Sequence, residues 1–136
     1  MNREKKNKVM LVLCRKVIAN LLEEAIEKRS NMKVFTEYDY KNIRTIVSVR
    51  GPNIVLMEIP ERHGTPAQDT LSICEEIKSV SPGCRVILLC PENVKESVDA
   101  CVKAKQQARI DDFLFYDSTV DYLTSKLAAL TEAPTP

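Results

Sequence analysis

Glycine is scarce, with three in 136 residues. A phosphate cradle after a strand needs several, because only glycine lets backbone amides close on an anion with no Cβ in the way. No GxGxxG, P-loop or GxSxG pattern occurs, which removes the commonest nucleotide sites and the serine-hydrolase elbow. Histidine is reduced to His63, so clusters built from several imidazoles are excluded. No apolar run nears the roughly 18 residues that a bilayer span needs. The formal net charge is only +1, so no strong global field steers the chain to nucleic acid or anionic lipid. The leader Arg3, Lys5, Lys6 and Lys8 is basic and polar. It has no signal-peptide pattern and reads as a solvated terminus. Cysteine is present five times (Cys14, Cys74, Cys84, Cys90, Cys101), an odd count without CxxC spacing. That predicts reduced thiols in a cytoplasm rather than a disulfide framework or a zinc site.

What is present fits one globular domain: 44% hydrophobic and 29% charged residues are ordinary values. Short apolar runs alternate with amphipathic ones. Val9–Leu13 reads as a strand buried on both faces. Ile18, Leu21, Leu22, Ala25 and Ile26 then repeat at helical spacing. Lys33–Glu37 reads as a second strand, and Asp39 as the cap of a helix carrying Ile43, Ile46 and Val47, stopped by Gly51-Pro52. Ile54–Met57 is a third strand. Thr65 to Gln68 reads as a capping box before Leu71, Cys74, Ile77 and Val80. Val86–Leu89 is a fourth strand. Asn93 reads as the cap of a helix that buries Val94, Val98, Cys101 and Val102. Phe113–Phe115 is a fifth strand, and Ser118 with Asp121 reads as a capping box before Val120, Leu123, Leu127 and Leu130. Five βα units in series predict an α/β, doubly wound, five-stranded parallel sheet with five helices and right-handed crossovers. Residues 1–131 read as a single domain, and 132–136 as a disordered tail or the start of a linker.

In such sheets ligands bind at the carboxyl ends of strands, near the switch point. The segments there resemble response-regulator receiver domains from about Lys8 to Leu130. Pro52–Ile59 is similar to the family's third strand, which ends on the phosphoacceptor aspartate. Arg85–Cys90 is similar to the fourth, ending on threonine or serine, and Phe113–Ser118 to the fifth, with its lysine. The resemblance implies strand order 2-1-3-4-5 and the flavodoxin-like receiver architecture. It places the acceptor at Glu58, the acid pair at Leu13 and Cys14 (or Cys14 and Arg15), the hydroxyl at Cys90, the lysine at Tyr116 and the switch aromatic at Phe113.

Of the chemical groups that the resemblance implies at these positions, only the carboxyl of Glu58 and the aromatic ring of Phe113 remain. Mg²⁺ wants hard oxygen ligands, and Leu13, Cys14 and Arg15 supply no carboxylate. Phosphoryl transfer rests on positioning and charge neutralisation, so the resemblance is to a degenerate pseudo-receiver. Glu58 is expected to be a partly solvated remnant rather than a mimic of the phosphorylated acceptor, with Arg15 within reach of it. Cys14 is expected to be small and mostly buried, although a helix N-terminus can lower a thiol's pKa and some phosphocarriers place a cysteine there. A Cys14–Cys90 disulfide is excluded by the intervening strand, which sets them roughly 9–10 Å apart. His63 is expected in an exposed loop.

The expectation is a cytoplasmic, non-enzymatic signalling or regulatory module without metal or cofactor. By resemblance it belongs to two-component phosphorelay signalling. Its partner would be a protein, either a signalling kinase, an output domain or a regulator. Alternatively it would form a homodimer through the helix 4–strand 5–helix 5 face, displaying Lys95, Asp99, Lys103, Tyr116 and Tyr122. Membrane and nucleic acid are not expected partners. Two alternatives stay open: a genuine phosphoacceptor with unusual chemistry at Glu58 or Cys14, and a small-ligand-binding flavodoxin-like domain using a pocket between Cys14, Glu58 and Cys90.

Overall fold

A computed structural model of the chain describes residues 7–132 apart from 30, 63 and 117. The expectations for His63, the leader before Asn7 and residues 133–136 lie outside the described residues. The elements run β1 (Lys8–Val12), α1 (Lys16–Arg29), β2 (Lys33–Glu37), α2 (Ile43–Arg50), β3 (Ile54–Glu58), α3 (Pro66–Val80), β4 (Arg85–Cys90), α4 (Lys95–Gln106), β5 (Asp112–Phe115) and α5 (Val120–Glu132). The sheet is parallel throughout, as the βα alternation predicts, and has the order β2-β1-β3-β4-β5 that the receiver resemblance implies. No helix among the described residues is long and apolar enough to cross a membrane.

Alternation along the strands divides the core into two layers. Met10, Val12, Val55, Met57, Val86 and Leu88 meet α2, α3 and α4 on one face. Val9, Leu11, Leu13, Ile54, Leu56 and Leu89 meet α1 and α5 on the other. Both faces of the central strands are covered, which is why their sequences read as unbroken apolar runs.

Helix starts depart from the sequence reading in four places. Asp39 does cap, accepting from the Lys41 N–H at 2.9 Å, but it opens a 3-10 turn (Tyr40–Asn42) that leads into α2. Thr65 makes no side-chain cap bond; its hydroxyl lies 3.4 Å from the Asp69 carboxylate instead. Asn93 sits one residue early, in a turn closed by the Val94 N–H on the Pro91 carbonyl, and Val94 occupies the cap position. At α5 the cap is Thr119, whose hydroxyl accepts from the Tyr122 N–H at 3.1 Å. Ser118 is held in the preceding turn, and Asp121 pairs with Arg29.

Two buried faces also differ. On α1 the inward line is Ala19, Leu22 and Ile26, leaving Leu21 50% exposed. On α4 it is Ser97, Cys101 and Ala104, while Val102 points outward. Small side chains along that line let α4 lie close on the sheet.

Candidate functional site

The last residue of β3 carries a carboxyl to the carboxyl end of the sheet, between β1 and β4. There α1 begins, and its first N–H groups have no partner within the helix. Glu58 reaches the chain just ahead of that start, at Cys14. Its Oε1 accepts from the Cys14 N–H at 2.9 Å. Its Oε2 accepts from the Tyr116 hydroxyl and lies 3.7 Å from Arg15 Nε. The Arg15 guanidinium lies 4.5 Å from the centre of the Tyr116 ring and reaches Glu61 at 3.0 Å. The expected partly solvated remnant is therefore a buried group, 1% exposed, because donors from β1, α1 and the end of β5 converge on it.

Burial pushes the Glu58 carboxyl above its ordinary value of 4.5, against the pull of the Cys14 N–H and the Arg15 charge. The anion sits at a helix N-terminus, where the positive end of the dipole favours it.

A second tyrosine, Tyr40, ties the same place from the other side. Its hydroxyl donates to the Glu58 carbonyl at 2.6 Å and lies 3.2 Å from the Val12 carbonyl. The Cys14 thiol lies 3.5 Å from the Tyr40 hydroxyl oxygen, within hydrogen-bonding reach. Burial raises the Tyr40 hydroxyl's pKa, and the bond to Cys14 adds to the rise. Sequence reasoning missed Tyr40 because nothing in Asp39-Tyr40-Lys41-Asn42 distinguishes it from a turn residue.

The other positions separate into two groups. Leu13 is wholly buried in the α1/α5 layer. Cys14 is exposed, not mostly buried as expected, because it lies past the strand where the chain turns into α1. Its thiol is raised, not lowered, since desolvation outweighs the Tyr40 hydrogen bond and the Glu58 charge adds to the rise. Cys90 belongs to the layer on the far face of the sheet. Its thiol partners are the Pro91 carbonyl at 3.6 Å and the Cys101 thiol, which lowers its pKa. Phe113 is half-buried and meets Phe115 edge to face, centroids 5.7 Å apart. Lys95, Asp99, Lys103 and Tyr122 are exposed, as expected of a display face, but Tyr116 is turned to Glu58.

Glu58 is engaged by its donors and Cys90 faces the other layer, so the side chains named for the small-ligand alternative, Cys14, Glu58 and Cys90, do not converge. The cavity that Cys14 lines runs toward Tyr38, Lys41 and α3 instead. All five cysteines are free. Among the described residues no group of three or more His, Cys, Asp or Glu side chains converges as a metal site would require.

Neither a protein-family model nor a curated protein matches the chain. Solved structures do. A response regulator from Thermotoga maritima is 17% identical with a TM-score of 0.76, over 95% of this chain and 100% of that one. A two-component response regulator from Clostridium difficile is 17% identical with a TM-score of 0.73, over 93% and 96%. The receiver domain of nitrogen regulatory protein C is 21% identical with a TM-score of 0.73, over 90% and 92%. At these identities the fold is what is shared.

Proposed function

We propose that this chain, which has the fold of response-regulator receivers, is a cytoplasmic, non-enzymatic signalling or regulatory module that acts by protein contact and has lost phosphorylation at the acceptor position. Its partner is a signalling kinase, an output domain, a regulator or a second copy. The observation that carries the proposal is the burial and engagement of the Glu58 carboxyl. Its carboxylate accepts from the Cys14 N–H just before α1 and from the Tyr116 hydroxyl, with the Arg15 guanidinium beside it.

A nucleophilic carboxylate needs a path for the incoming phosphoryl group, and Glu58 is 1% exposed with each carboxylate oxygen already engaged. The family's Mg²⁺ wants several hard oxygen ligands. Leu13, Cys14 and Arg15 offer an alkyl group, a thiol and a guanidinium, so the residues do not fit that ion. Arg15 and Tyr116 engage Glu58 itself instead of waiting for an incoming phosphoryl group. Glu58 acts as a strut that joins β3 to the start of α1 and the end of β5, holding the carboxyl end of the sheet in one arrangement for a partner to read.

Incubation with acetyl phosphate and Mg²⁺, followed by intact mass, tests the proposal. No phosphoryl adduct is expected. A stoichiometric adduct would overturn the loss of phosphorylation, and its acid or base lability would separate an acyl phosphate at Glu58 from a thiophosphate at Cys14.

A further inference from the structure

A cleft of about 530 Å³ opens between the start of α2, the loop after β3 and the first turns of α3. Its size falls within the range of small-molecule sites, roughly 300–1,000 Å³. We propose that this cleft binds a small aromatic carboxylate. The proposal goes beyond the reading of Glu58 and does not depend on it.

The lining selects the ligand's body. Tyr38, Tyr40, Pro60 and Ile73 contribute aromatic and aliphatic surface. The Tyr40 ring is fixed, because its hydroxyl is anchored on the Glu58 carbonyl. The Tyr38 ring is 41% exposed at the rim and offers a face for stacking. Polar capacity inside is small. The Thr70 hydroxyl is engaged by the Pro66 carbonyl at 2.7 Å, so a sugar or other polyol would leave hydroxyls unpaired.

Charge selects the ligand's head group. Asp69 is the one carboxylate on the lining, and Arg62 pairs with it at 2.7 Å. Lys41 also lines the cleft, and Lys16 lies 5.8 Å from the centre of the Tyr38 ring. Neither ammonium belongs to an ion pair among the described residues. The rim therefore carries two uncompensated cations beside an aromatic slot, which complements an anion with an attached ring.

Cys14 makes the test direct. It lines the cleft and is the exposed cysteine, the other four being buried, so iodoacetamide added to the folded chain should modify it first. The rate at Cys14 is followed by peptide mass with phenylacetate present, and with phenethylamine as the charge-reversed control. Saturable protection by phenylacetate and none by the amine is the expected result. Lys41→Glu should weaken that protection about fivefold, the size of one exposed ion pair, each variant being measured against its own unliganded rate. Tyr38→Ala should weaken it as well. No protection by phenylacetate at any concentration, equal protection by the amine, or undiminished protection in Lys41→Glu would each overturn the proposal. Both substituted residues are exposed at the surface, so folding of the variants is not in question.

Discussion

Glu58 is a carboxyl almost wholly withdrawn from the surface, and its titration exposes the balance of forces on it. Burial raises its pKa above the ordinary 4.5, although N–H donors and Arg15 pull the other way. Below 4.5 the group is protonated in both the folded and the unfolded chain. As pH rises from there toward the higher folded value, the unfolded chain ionises first and stability falls; above the folded value the loss is complete. Glu58→Gln removes that loss and keeps the side chain's shape. In urea titrations from about pH 4 to about pH 8, the wild type should lose stability relative to this variant over the lower part of the range, then run parallel to it. A wild type that gains on the variant as pH rises would show that the donors outweigh the burial.

The residue scale is also where the sequence was least legible. The strand ends located Glu58, Arg15 and Tyr116 correctly in space. That Tyr116 would donate to Glu58, and that Tyr40 would brace the backbone beneath it, depends on side-chain directions across elements. Linear spacing carries no record of those directions. Cys90 shows the same limit. Its position at a strand end was readable, but the parity of its side chain sends the thiol to the far face.

At the scale of elements, the strands were read well because burial on both faces leaves only apolar residues. Helix starts were read less well, because a capping residue is chosen by the local turn as much as by its type. The end of β5 is the clearest case. Ser118, Thr119 and Asp121 all have capping chemistry, but only Thr119 lies where its oxygen meets the Tyr122 N–H. Thr119→Ala should therefore lower stability by about 0.5–2 kcal/mol, while Ser118→Ala should leave it nearly unchanged. Chemical denaturation of the two variants measures the difference, and equal losses would contradict the assignment. The turn of α4 has a similar origin: Cys101 and Val98 pack on the core as read, but Val102 faces outward and Ser97 and Ala104 complete the buried line.

At the scale of the whole molecule, the fold was legible because alternation of βα units leaves few topologies open once crossovers are right-handed. The layers follow from that connectivity, whereas the strand order was legible through the resemblance of the strand ends to receiver domains. What the chain must assemble last is a different matter. The Cys14–Glu58 bond joins residues 44 apart and the Tyr116–Glu58 bond residues 58 apart. Closing such loops carries an entropy penalty that is offset only after the intervening strands have paired.

The Glu58 junction is therefore a timing device as well as a strut, because it forms only when β1, β3 and β5 are already in place. Interactions made after the rate-limiting step slow unfolding without hastening folding. Tyr116→Phe, which removes a hydrogen bond to a charged group worth about 1.5 kcal/mol, should speed unfolding by roughly tenfold. Its refolding rate should stay at the wild-type value in stopped-flow measurements. A slowed refolding limb would mean that this end of the sheet closes early, and that the carboxyl pole nucleates the fold instead of completing it.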